Sequence, residues 1–201
     1  MKNIVFILLV IGAGWQFYSD GGQVILGPGV MAAEEPYQAS ISSPASHRID
    51  DYIITEFAEF SIKAKVLSRE NYYLGREADL SPVDLTLGWG NMSDESILEN
   101  IEISQSGRFY RWQVKSFPIP RREIESNSAN MHLIPANEIV ASDIKKIRKG
   151  DIIELSGSLV NVTAASDGWR WQSSQTRYDT GNGACELIWV DSLKVVTAEQ
   201  I

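Results

Sequence analysis

Cys185 is the single cysteine of the chain and closes the stretch DTGNGAC, Asp179 to Cys185. The opening triplet Asp-Thr-Gly is the one in which aspartic proteases carry a catalytic carboxylate. That chemistry needs two carboxylates about 3 Å apart sharing one proton, hence a second such motif or a dimer. A polar run, SSQTRY, precedes the triplet, and only residues 182–201 follow, too few for a protease half. Asn182-Gly183 instead supplies the positive φ angles of a tight hairpin turn. A thiol enzyme is the second chemistry. Cys185 as nucleophile, His132 as base, and Asn130 or Asn137 as orienting group form the minimum set. Against it, a free cysteine ahead of an apolar strand such as ELIWV is ordinarily a small buried hydrophobe. His132 sits in SANMHLIPANE and, if extended, points to the face opposite Met131 and Leu133. It reads as a structural histidine bonded to a loop carbonyl, or as a polar group in a ligand groove.

The third constellation is aromatic. Six tryptophans is a high count for 201 residues, and four of them fall in the domain's polar-flanked turns and strands. GRFYRW and GWRWQ both interleave arginine with rings. The set is Trp89, Arg108, Tyr110, Trp112, Trp169, Trp171 and Arg177. Alternation puts Tyr110 and Trp112 on one face and Arg111 on the other. Such faces stack sugars, peptides or bases; the competing reading is that the rings fill the core. A net charge of −8 repels phosphate backbones, so no nucleic acid is expected. One cysteine and two histidines exclude a thiolate cluster or a multi-histidine zinc site. No metal or cofactor is expected.

These groups need a scaffold. YIITEFAEFSIKAKVLS places Phe60, Ile62, Ala64 and Val66 on one face, with Ser61, Lys63 and Lys65 opposite, the period of a half-buried strand. In SPVDLTLG, Ser81 reads as a helix cap with Pro82 at the first helical position. SDESILEN reads as a short helix capped by Ser93. IEISQSGRFYRWQVKSF reads as two strands about a Gly107 turn. NEIVASDIKKIRKG is the clearest helix: Asn137 caps it, Val140, Ile144 and Ile147 line one face, and Gly150 ends it. DIIELSGSLVNVTA is a strand kinked at Gly157. GWRWQSS and CELIWVDSLKVV close the chain as strands. The expected fold is mainly β, a small OB-like or Greek-key barrel with two or three short helices; the alternative is an α+β split sheet.

Residues 3–19 carry no charge and follow Lys2, a run of roughly 25 Å as a helix. That matches one short transmembrane helix, and also the apolar core of a signal peptide. Trp15 and Tyr18 suit the membrane interface, and bulky residues stand where a cleavage site needs small ones. Residues 1–19 are therefore expected to anchor the chain in a lipid bilayer, with cleavage as the alternative. Residues 20–50 are rich in Gly, Pro, Ser and Ala, the composition of a flexible linker. His47 falls there and reads as exposed. The mainly β domain then occupies 51–201.

At GPGVMAAEEPYQ, LGWGNMSD, SANMHLIPANE and TRYDTGNGACELIWV the chain resembles a family of small, functionally uncharacterised, membrane-anchored envelope proteins of Gram-negative bacteria. The resemblance runs from the anchor to the last strand. It implies a single pass through the inner membrane with the domain in the periplasm, and it brings no activity or catalytic residue. The expected function is a non-catalytic binding or assembly module meeting an envelope protein or glycan. The alternative is an envelope hydrolase or thiol enzyme using Cys185 and His132.

Overall fold

The computed structural model describes residues 22–174 and 185–197. The expected anchor at 1–19, Arg177 and the Asn182-Gly183 turn lie outside the described residues. Among those described, no helix is long and apolar enough to cross a membrane.

The fold is mainly β, built on a large mixed sheet. Its strands are β1 (Tyr37–Ser40), β2 (Ser46–Ile49), β3 (Tyr52–Asn71), β4 (Val83–Gly88), β7 (Ser128–Pro135), β8 (Ile152–Ala164), β9 (Arg170–Gln172) and β10 (Glu186–Val196). A separate two-stranded hairpin, β5 (Ile101–Ser106) and β6 (Phe109–Val114), stands between β4 and β7 in the chain. The short helices are α1 (Arg76–Leu80), α2 (Glu95–Leu98), α3 (Arg121–Ser126) and α4 (Glu138–Lys146).

β3 organises the sheet. Its 20 residues would run roughly 65 Å if straight. Register shifts at Glu56/Ala58 and Val66/Ser68 bend it, as bulges do. It pairs with β4 through its second half and with β8 through most of its length. β4 pairs with β7, β7 runs parallel to β10, and β10 pairs with β8. The order of pairings therefore starts and ends on β3. Inward side chains of all five strands, among them Phe60, Leu85, Leu133, Leu155 and Ile188, form one buried cluster. Val140 and Ile144 of α4 join it, with Ile147, the extended residue that ends the helix. Asn137 caps α4 through Ile139 N–H and Val140 N–H, so the expected apolar stripe docks as read.

Gly157 marks the tightest strand approach. A Cβ there would lie 1.9 Å from the Trp189 carbonyl oxygen, beside the Val190/Ser192 register shift. Gly157→Ala is expected to cost about 3 kcal/mol, the upper end for overpacking, read as a lower urea midpoint. An unchanged midpoint would mean that β8 and β10 are not in this contact.

Five local expectations are corrected. Residues 81–88 are strand β4, not a helix: Val83, Leu85 and Leu87 alternate inward, a period of two that outweighs the Ser-Pro signal. The short helix lies upstream as α1, and the Ser81 amide caps its end by donating to Glu77 O. Asp94 rather than Ser93 caps α2, accepting from Ser96 N–H; Ser93 Oγ instead accepts from Met31 and Ala32 N–H, at 3.0 Å each. Lys65, read as solvent-facing, is 2% exposed and pairs with Glu95 at 2.6 Å. Residues 22–50 lie on the domain rather than spanning from it. β1 and β2 pair with β3, and Val24 N–H donates to Lys149 O at 2.8 Å. Gly22, Gly27 and Gly29 take positive φ there, and the Gly29 amide donates to Asp94 Oδ1 at 3.0 Å. His47, read as exposed, stacks on Trp189 with centroids 4.1 Å apart and meets Glu56 at 2.6 Å.

Candidate functional site

The register of β4 on β7 sets Asp84 beside His132 and Thr86 beside Asn130. Alternation turns Val83, Leu85, Met131 and Leu133 into the core, so these four polar side chains share the opposite, outer face. An outer face would ordinarily meet water. Here Asp84 and Thr86 are 0% exposed, Asn130 1% and His132 3%. Something must cover them and supply their hydrogen bonds, because an unpaired buried polar group costs several kcal/mol at worst.

The cover is the tip of the β5–β6 hairpin, together with Tyr72 and Trp171. Arg108 carries most of the contact. Its Nη1 donates to Asp84 Oδ1 at 2.6 Å and to Ser81 O at 2.9 Å. Its guanidinium lies 3.8 Å from the Tyr72 ring centroid and 5.5 Å from that of Trp171, within cation–π range. The Arg108 amide donates to Tyr72 Oη at 2.8 Å, and its carbonyl accepts from Asn130 Nδ2 at 3.0 Å. Gln105 Nε2 donates to Asn130 Oδ1 at 2.6 Å, and Tyr110 Oη contacts Ser128 Oγ at 3.1 Å. His132 Nδ1 lies 2.9 Å from Asp84 Oδ2, at ion-pair distance but off the line of a hydrogen bond. The other side of its ring faces Trp171, centroids 5.0 Å apart.

Cys185 reaches the same cluster just ahead of β10. Its Sγ donates to Arg108 O at 3.7 Å and accepts from Asn130 Nδ2 at 3.9 Å. Burial pushes its thiol up to about 11, and the Asn130 contact offsets this only in part. A nucleophilic cysteine needs the opposite shift, towards thiolate. Alkylation of Cys185 by iodoacetamide in the native chain is therefore expected to stay slow at pH 8–9 and to rise as pH approaches 11. The folded state holds this proton more tightly than the unfolded chain. Stability linked to it is complete below about 9 and falls between roughly 9 and 11, where the unfolded thiol ionises first. Cys185→Ser should flatten that fall; fast alkylation at neutral pH would contradict the assignment.

The other sequence candidates divide between this cluster and its surroundings. Tyr110 is turned into the body of the protein, and burial raises its phenol. Trp169 flanks Trp171 at 6.2 Å, meets Tyr52 edge-on at 5.9 Å and carries Arg76 at 5.0 Å from its ring. Trp112 is apart from them, packed on a second cluster with Leu67, Met92, Ile119 and Ile124. Trp89 is core. Asp84 and Tyr72, which centre the arrangement, went unread in the sequence. The signal for Asp84 was present: an acidic residue at the alternate position of the apolar strand VDLTL.

A separate cavity of about 120 Å³ lies beside β3 and α2, lined in part by Lys65, Glu95, Glu99 and Lys149. Among the described residues, no cluster of three or more His, Cys, Asp or Glu gathers to hold a metal ion. Comparison of the chain with protein-family models, with curated proteins and with solved structures found no match.

Proposed function

We propose that the domain is an OB-type barrel acting as a non-catalytic binding or assembly module, tethered to the inner membrane by residues 3–19 and facing the periplasm. Support for the barrel is the strand order β3–β4–β7–β10–β8–β3, with β7 parallel to β10 and α4 between β7 and β8. OB folds bind oligomers on the face of their second and third strands, between two flanking loops. In this chain that face is β4–β7, flanked by Tyr72 and Trp171. Support for tethering and for the periplasmic side remains the uncharged run after Lys2 and the envelope-family resemblance.

The observation that carries the binding reading is the arrangement of Arg108, Tyr72 and Trp171 around the buried Asp84. Arg108, Asn130 and Gln105 are bonded within the cluster, and the one thiol is held protonated. Next to Tyr72 in the chain stand two open apolar residues: Tyr73 is 84% exposed and Leu74 91%. A photoreactive residue placed at Leu74 in whole cells is expected to give a discrete adduct, and one at Val195 none. Equal labelling, or none at either, would remove the reading. A reporter fused after Ile201 that works only in the cytoplasm would remove the periplasmic placement. The thiol-enzyme alternative keeps one observation, the Asp84–His132 approach at 2.9 Å. It requires Cys185→Ser and His132→Gln to destroy function without lowering the melting temperature.

A further inference from the structure

We propose that the Asp84 seat is a guanidinium-recognition site for an arginine presented by a protein partner, and that Arg108 is its internal occupant in the unbound chain. The inference rests on the binding-module reading and names the chemistry of that site.

Four features argue for it. The seat is complete for one kind of ligand: a fully buried carboxylate, a backbone carbonyl from Ser81, and two aromatic rings. A planar, weakly hydrated guanidinium fits that set, whereas a compact ammonium fits it poorly. The occupant is held against local preference. Gly107 has φ 59° and Arg108 φ 70°, a turn whose second position favours glycine. An arginine there costs roughly 1–2 kcal/mol, which its side-chain contacts must offset. The occupant also sits at the tip of a hairpin whose apolar anchor lies only at its base. β5–β6 is its own two-stranded sheet, without strand pairing to the main one. Ile101, Ile103, Trp112 and Val114 at its base hold it to the Leu67 and Met92 cluster, so the tip can open by itself. Finally, the fit is incomplete: Asp84 Oδ2, His132 Nδ1 and Gln105 Oε1 are buried without a hydrogen-bond partner around the tip. A partner's arginine, which only donates, could pair with the free Asp84 Oδ2 as well as Oδ1. The acidic chain, at −8, favours such a cationic partner over an anionic one.

The hairpin is thus a strap that fills its own binding face and yields to a competing arginine. The tethered Arg108 competes at an effective concentration on the order of millimolar, so free arginine should enter the native seat weakly.

The test uses the full-length chain in mild detergent with N-acetyl-arginine methylamide as probe, followed by the Trp171 indole N–H resonance. Arg108→Gly should respond saturably, with wild type weaker by at least about tenfold. Adding Asp84→Asn to Arg108→Gly should abolish the response, and the lysine counterpart of the probe should bind at least about tenfold more weakly. If the glycine variant does not fold, Arg108→Lys, which keeps the stem and the charge, should show the same probe order. No saturable response in either variant, an equal response in wild type, or equal binding of the lysine probe would overturn the proposal. So would a response to chitohexaose in place of the arginine probe, which would assign the face to glycans. A discrete adduct at Leu74 alongside such a failure leaves the binding-module reading intact and removes only the guanidinium class.

Discussion

Asp84→Ala is expected to lower unfolding stability by roughly 3–5 kcal/mol, the cost of leaving a buried charge without its partner. The carboxylate is 0% exposed and meets Arg108, Ser81 and His132. Its loss strands the guanidinium between two rings and removes what pins the hairpin. Asp84→Leu combined with Arg108→Met should recover much of the loss, because a well-packed apolar pair can replace a buried ion pair. Urea denaturation of the three proteins decides it. If the single variant costs under about 1 kcal/mol, the value of an exposed pair, Asp84 is not the node of this face.

Glu95→Ala is the second large effect, again roughly 3–5 kcal/mol. Lys65 Nζ lies 2.6 Å from Glu95 Oε1, and their side chains are 2% and 12% exposed. That asymmetry ranks the two single variants. Without Glu95, the more deeply buried ammonium loses the carboxylate it is hydrogen-bonded to. Without Lys65, in Lys65→Met, the carboxylate can turn to the adjacent cavity and take up water, so the loss should be clearly smaller. A Lys65→Met variant as unstable as Glu95→Ala would show that the cavity gives Glu95 no such relief.

The same two residues show how far the sequence could be read. Alternation in Phe60–Val66 correctly sets one face of β3 to the core, and it sets Lys65 to water by the same logic. Nothing in a local pattern can foresee that α2, thirty residues later, brings a carboxylate over it. The Gly107 turn, the Asn137 cap and the closing strand were legible because each depends on neighbours in the chain. Asp84 was obscured for a different reason. Ser81-Pro82 is a sound helix-start signal, but it competed with only six residues of strand pattern, and sheet pairing on both sides decided for the strand. Composition misread residues 22–50, because glycine and serine serve a chain lying flat on a domain as well as one crossing open space. For the site, spacing could nominate His132, Cys185, Arg108 and Trp171 singly. Their convergence depends on β4–β7 register and on a hairpin folding back, and both are long-range.

Hydrogen exchange at the hairpin amides of Arg108→Gly against wild type reads whether the Asp84 seat holds the hairpin. Turn chemistry alone favours glycine at φ 70°, so an independent hairpin would gain protection from the change. If the Asp84 seat holds the hairpin, residues 101–114 should instead exchange at least about tenfold faster, as a local opening, while β3, β8 and β10 keep their protection. Unchanged or slower exchange at the hairpin would contradict the account.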